Sequence, residues 1–330
     1  MDHRLLKRRS VKLLIIVATL YLILYIIPIP PVGESVTELA FSESKFIRIN
    51  GILIHYVEHG RGNTLYILLH GFGASVFTWR ELIPSLSNTG RVVAFDRPGF
   101  GLTERASPYS NRINPYHVDG AVELTCNFIK SIHNGESNIF LIGHSAGGGL
   151  ALLVTLRCDV KLTGLVLIAP AWRPYNTSSL EKILYNLPLV DKYGPLITRL
   201  FIAQLESALY KAWYNKSMLT SDVVEGYKYP LRARDWDKGL YWLMKYRGFP
   251  DIRDDLINMK IPVLIIHGVQ DEIVDVNDSI ELYEALSNHT ITYIVTIDQC
   301  GHLPHEEKPE LVIDETLKFI YNSVLWKNTR

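Results

Sequence analysis

The chain is 330 residues long, with 34 basic and 34 acidic side chains, 48% hydrophobic and 21% charged residues. Balanced charge gives no electrostatic case for a nucleic-acid partner. Three cysteines, Cys126, Cys158 and Cys300, are too few and too scattered for a disulfide framework or a zinc site. The length suffices for one large core domain carrying an insertion.

The N-terminus differs from everything after it. Arg4, Lys7, Arg8, Arg9 and Lys12 precede an uncharged apolar run from Leu13 to about Ile29, closed by Pro28, Pro30 and Pro31. As a helix that run would measure roughly 25 Å, close to the ~30 Å hydrocarbon core. Residues 1–33 are therefore expected to form an uncleaved signal anchor that crosses a membrane once. The excess of basic residues before the run places the N-terminus in the cytoplasm and the remainder on the far side. The alternative is a cleaved signal peptide and a secreted or periplasmic protein, although no A-x-A-like cleavage site follows the run.

After a polar connector, 46–49 and 52–57 read as strands joined at Asn50-Gly51, a strong hairpin signal. The run 64–69 is continuously apolar, as for a strand buried on both faces of a parallel sheet. It ends in His70-Gly71-Phe72-Gly73, followed by an expected helix over 78–82. Strand 91–95 leads into Asp96-Arg97-Pro98-Gly99-Phe100-Gly101, and 116–132 has helical periodicity. Cys126 and Cys158 fall in helical patterns and are expected as small buried hydrophobes.

The stretch Asn138 to Gly149 runs from β-branched apolar residues through Gly143-His144-Ser145-Ala146-Gly147 into a helical pattern. Strand, sharp turn and helix form the context in which G-x-S-x-G displays a nucleophilic serine. Another buried strand follows at 165–170. From 172 to 255 no buried strand is visible, only amphipathic segments rich in Tyr and Trp, among them Tyr185, Trp213, Tyr227, Tyr241 and Tyr246. Such an insertion reads as a helical lid, leaving 34–171 and 256–330 as the core. The strands resume at 261–268 and 291–295, with helices over 279–286 and 309–324. Strands alternating with helices give an α/β fold with a doubly wound sheet.

A serine hydroxyl needs a base within hydrogen-bond reach, and the base needs an orienting group. Loops after later strands meet at the carboxyl edge of such a sheet. Asp271 follows strand 261–268 and His302 follows strand 291–295, so both fall at the edge that carries Ser145. Asp275 is the rival acid. His305 is expected as a solvated loop residue, His144 as facing away from the nucleophile, and His55 as lacking chemical neighbours. An oxyanion needs preorganised N–H donors, for which the backbone amides of Ala146 and Phe72 are placed.

Leu69-His70-Gly71-Phe72-Gly73, Asp96-Arg97-Pro98-Gly99-Phe100-Gly101, Gly143-His144-Ser145-Ala146-Gly147-Gly148, Gly268-Val269-Gln270-Asp271 and Gly301-His302 together resemble the α/β-hydrolase superfamily over about 46–325. The resemblance implies an eight-stranded, mostly parallel sheet, a helical cap between strands six and seven, and neither metal nor organic cofactor. Serine at 145 argues against relatives that use aspartate there, and the whole is loosely similar to monoacylglycerol-lipase-type enzymes. The expected function is hydrolysis of an ester, thioester or amide of an apolar acyl group, with a small lipid-like substrate as partner. Carbon–carbon bond hydrolysis, acyl transfer to an alcohol, and a non-catalytic binding role on the same fold are the alternatives. The sequence carries no sign of the oligomeric state.

Overall fold

The computed structural model describes residues 3–109, 112–200 and 205–328, with the side chains of 3–9 excluded. The side chains of Arg4, Lys7, Arg8 and Arg9, and residues 201–204 of the expected lid, thus lie outside the described residues.

Eight strands form one sheet: β1 (Lys45–Ile49), β2 (Ile52–His59), β3 (Thr64–Leu69), β4 (Arg91–Phe95), β5 (Asn138–His144), β6 (Gly164–Ile168), β7 (Val263–Gly268) and β8 (Thr292–Ile297). Their spatial order is β1-β2-β4-β3-β5-β6-β7-β8. The first hairpin and the β2–β4 pair are antiparallel, and all later pairs are parallel. Asn50 and Gly51 turn the hairpin with φ of 50° and 83°, the two left-handed residues that a tight hairpin turn requires.

The central strands are apolar throughout because they feed two cores. Leu65, Ile67, Leu69, Ile139, Leu141, Leu165, Leu167, Val263 and Ile265 point to one face. Tyr66, Leu68, Phe140, Ile142, Val166, Ile168, Leu264 and Ile266 point to the other. Side chains alternate across a strand, so odd and even positions pack under different helices. The first face is covered by α3 (Val118–Ile132), α4 (Ala146–Arg157) and α10 (Val276–Ser287); the second by α2 (Ile83–Ser87) and α12 (Pro309–Asn328).

Between β6 and β7 the chain is helical: α5 (Ser179–Tyr185), α6 (Pro188–Leu200), α7 (Leu205–Ala212), α8 (Ser221–Lys228) and α9 (Trp236–Lys245). A two-bond antiparallel bridge, Tyr175 N–H to Phe249 C=O (3.0 Å) and its reciprocal (2.9 Å), closes the base of this insertion. Inside it, Lys245 pairs with Asp191 (2.6 Å) and Arg199 with the buried Asp237 (2.8 Å). Trp213, Tyr227 and Tyr241 are buried within it. Of the five aromatic residues named above as its signature, only Tyr246 faces the cavity described below.

Three expectations are corrected here. Among the described residues no helix is long and apolar enough to cross a membrane, which overturns the single-pass anchor with a cytoplasmic N-terminus. The N-terminal helix, α1 (His3–Ile26), ends before Pro28, so its uncharged part from Leu13 covers only about 21 Å. Its last carbonyls accept from Lys192 Nζ and Tyr193 Oη of α6. Cys126 and Cys158 are joined in a disulfide, with Cα atoms 5.9 Å apart. The helix expected over 78–82 is instead a tight turn at Val76–Trp79 followed by α2 (Ile83–Ser87). Pro84 sits in the first turn of α2, where a missing N–H costs nothing.

Candidate active site

Ser145 follows β5 and precedes α4 with φ 52° and ψ −123°. That is a region almost closed to side-chain-bearing residues, costing about 1–3 kcal/mol. The turn closes only because its flanks are glycine. A Cβ on Gly143 would lie 2.5 Å from the Gly147 carbonyl oxygen, and one on Gly147 would lie 2.2 Å from that of Leu69. The Ser145 amide donates to Ile168 C=O (2.9 Å), and its carbonyl accepts from Gly148 and Gly149. This pins the turn between β6 and α4 and leaves the side chain 7% residue exposure at the sheet edge.

His302 and Asp271 meet as their positions in the chain suggested. His302 Nδ1–H donates to Asp271 Oδ2 at 2.6 Å. Asp271 also receives His267 Nε2–H on Oδ2 (3.0 Å) and the amides of Ile273 (2.7 Å) and Val274 (3.0 Å) on Oδ1. Burial pushes its carboxyl up, but the bonds from His267 and His302 outweigh that and hold it well below the usual carboxylate range. Asp275, the rival, caps α10 by accepting from the Asn277 amide at 2.9 Å. Among the described residues the Ser145 hydroxyl makes no hydrogen bond, and the Phe72 amide has no partner. Ala146 opens α4, where the first N–H groups lack intrahelical acceptors.

The loop carrying His302 is fastened to the insertion. Its amide donates to Ala212 C=O at 2.7 Å. Glu307, on the short helix α11 (Pro304–Glu307), accepts the Gly301 amide on Oε1 (2.8 Å) and the Tyr214 and Asn215 amides on Oε2 (2.9 Å each).

Two histidines, His305 and His55, were misjudged from sequence, and a third, His144, has a role that sequence did not show. His305 is fully buried rather than solvated. It stacks on Trp79 (4.9 Å between centroids) and bonds Thr78 Oγ1 at 2.8 Å. Thr78 in turn donates to Glu306 Oε1 (2.6 Å), which also accepts from Tyr227 of α8. His144 packs beside the His302 ring (4.8 Å) and donates Nε2–H to the His302 carbonyl (2.8 Å), so it supports the loop that carries the candidate base. His55 has chemical neighbours after all: Nδ1 lies 2.7 Å from Asp96 Oδ2 and Nε2 lies 2.9 Å from Ser44 Oγ. This second Ser-His-Asp chain lacks a helix N-terminus, and its serine oxygen already accepts the Phe41 amide at 3.0 Å.

A cavity of about 380 Å³ opens beside the elbow, reaching it at Phe72 and Ala146. Its walls are largely apolar, including Phe100, Leu150, Trp172 and Phe249.

A serine held on a strained strand-to-helix turn of an open, mostly parallel eight-stranded sheet defines the α/β-hydrolase class of enzyme. The sequence agrees: residues 66–315 match the alpha/beta hydrolase family, and the chain belongs to that family. It is 25% identical over 292 residues to the 2-hydroxy-6-oxo-6-(2'-aminophenyl)hexa-2,4-dienoic acid hydrolase of Metapseudomonas resinovorans, covering 86% of this chain and 92% of the relative. It is 24% identical over 273 residues to the monoacylglycerol lipase abhd6-A of Xenopus laevis, covering 80% and 78% respectively. A thermophilic esterase from Thermogutta terrifontis superposes with a TM-score of 0.66 at 21% identity, over 84% of this chain and 99% of that one. The protein is thus an α/β-hydrolase enzyme, which sets aside the non-catalytic alternative.

Proposed function

We propose that this enzyme is a serine hydrolase that cleaves an ester of an apolar acyl group through an acyl-enzyme on Ser145. His302 Nε2 takes the Ser145 proton as Oγ attacks the carbonyl carbon, and Asp271 holds the Nδ1–H tautomer that this requires. The developing oxyanion is met by the Phe72 and Ala146 amides. Collapse expels the alcohol, which leaves with the proton from His302. Water then attacks the acyl-enzyme, with the same histidine as base, and the acid is released. Thioesters and amides follow the same steps. The helical segment 172–255 acts as a lid over the acyl chain, with Tyr246 on its underside.

The observation that carries this reading is the Ser145 backbone at φ 52° and ψ −123°. Strain of that kind persists where the surrounding fold enforces it, and it concentrates at catalytic positions. Carbon–carbon bond hydrolysis of a diketone-like substrate is the second reading, favoured by the name of the Metapseudomonas relative.

A fluorophosphonate probe at neutral pH should label the wild type and not Ser145→Ala, while Ser44→Ala keeps the label. Equal labelling of wild type and Ser145→Ala would refute the nucleophile. On p-nitrophenyl esters, kcat/KM should rise about threefold to fourfold per added carbon until the cavity fills, since each buried methylene contributes about 0.8 kcal/mol. A flat profile from acetyl to octanoyl would remove the acyl pocket.

A further inference from the structure

Three arginines line the cavity beside the elbow: Arg97, Arg173 and Arg247. Two are neutralised. Arg173 bonds Asp278 and Glu281 at 2.7 Å, and Arg247 pairs with Glu181. Arg97 differs. It lies in the loop after β4, its guanidinium over the Phe100 ring at 5.1 Å. Its Nε and Nη2 are shut off from solvent and make no hydrogen bond among the described residues.

Among the described residues, the two titratable groups next to Arg97 in the fold do not supply the missing charge. The adjacent Asp96 gives its oxygens to His55 Nδ1, Val76 N–H and Leu102 N–H, each at 2.7 Å. His70 accepts the Arg97 amide on Nε2 (3.0 Å) and donates Nδ1–H to Gly71 C=O (2.8 Å), so it is neutral. Burial, and then the Arg97 charge, hold His70 down to about 3. Burial alone brings Arg97 down to about 10, so at neutral pH it remains a cation. Desolvating a guanidinium without a partner is costly, and Arg is the side chain best shaped for two-pronged binding of carboxylate or phosphate oxygens. Phe100 in turn meets Phe72 edge-to-face (5.3 Å), which places this cation one ring away from the candidate oxyanion loop.

We infer that Arg97 is an anion subsite in the cavity wall, and that the preferred ester carries a carboxylate or phosphate on the part that lies against it. This substrate class rests on the ester-hydrolase reading above. The subsite itself rests on the unanswered guanidinium alone.

The experiment pairs charged and neutral esters of matched size. One arm compares mono-p-nitrophenyl glutarate with p-nitrophenyl pentanoate. The other compares 1-butyryl-glycerol 3-phosphate with monobutyrylglycerol. In at least one pair the wild type should favour the anionic ester by tenfold or more in kcat/KM, chiefly through KM. Arg97→Gln should collapse that ratio towards one, and Arg97→Lys should restore part of it. The pair that responds tells carboxylate from phosphate. Anionic esters no better than neutral ones in both wild-type pairs, or a ratio that Arg97→Gln leaves intact, would overturn the subsite.

Calorimetric titration of glutarate and glycerol 3-phosphate into wild type and Arg97→Gln separates the two claims. Binding that needs Arg97 without turnover of any ester would keep the subsite and sink the hydrolase reading. Turnover of neutral esters with no binding of either anion would do the reverse. Removing a partly desolvated charge that lacks a partner should leave the thermal midpoint of Arg97→Gln at or above that of wild type. Were that variant unfolded, the wild-type ratios and Arg97→Lys would decide the matter.

Discussion

Asp271 receives four hydrogen bonds, one of them from the histidine on the neighbouring loop, whereas Asp275 serves the first turn of a helix. Asp271→Asn offers His302 an amide that favours the wrong tautomer, and in a serine protease that exchange lowers kcat by about 10⁴. A loss of at least 10²-fold is expected here, with little change in thermal midpoint, whereas Asp275→Asn keeps a good cap and should stay within a few-fold of wild type. Ester turnover at pH 7 ranks the two, and the opposite order would move the acid to Asp275. At this scale the candidate constellation was legible because Ser145, Asp271 and His302 each follow a recognisable buried strand. His55 and His305 were not, since their partners Asp96 and Thr78 lie 41 and 227 residues away in the chain. A histidine's burial is decided by such distant contacts, which no local pattern encodes.

Among the elements, α3 and the end of α4 are crosslinked through Cys126 and Cys158, 32 residues apart. A loop of that size is worth about 3–4 kcal/mol in the chain-entropy account. Cys158→Ser should therefore lower the thermal midpoint by several degrees under oxidising conditions. A reductant should bring wild type down to the same value and leave the variant unmoved. A wild-type midpoint indifferent to reductant would mean that the bond contributes nothing. Strands were legible at this scale almost to the residue, because burial on both faces leaves unbroken apolar runs. The disulfide was not, as helical spacing places each cysteine on a face without saying which faces meet. The N-terminal helix misled for a related reason: hydropathy counts Ile27 and Ile29, while Pro28 ends the helix ahead of them.

For the whole molecule, the telling fact is how many uncharged histidines the fold encloses. His70, His144 and His305 are all depressed from 6.5, first by burial, His70 to about 3. The unfolded chain binds their protons below about pH 6.5 and the folded one does not, so their contribution is complete above that pH and fades as pH falls towards the folded values. Each costs about 1.4 kcal/mol per pH unit within its window. Glu306 is raised by burial and works in the opposite direction, but it is one group against three. Urea midpoints should thus drop steeply between pH 7 and pH 5, and a flat profile would show that these rings titrate freely. The architecture itself was legible because five motifs stand in one order along the chain. The fastening of the insertion to the core was not, because it depends on Glu307 reaching main-chain amides of residues far away in sequence.

That fastening sets the mechanics of access. Ala212 holds the His302 amide, and Glu307 grips Gly301 with one oxygen and Tyr214 and Asn215 with the other. A swing of the 212–215 stretch away from the sheet would pull on the very loop that supplies the proposed base. On the proposed mechanism, opening on that side would disturb the base that proton transfer needs. At the base of the insertion, two further main-chain bonds between Tyr175 and Phe249 hold its two ends together.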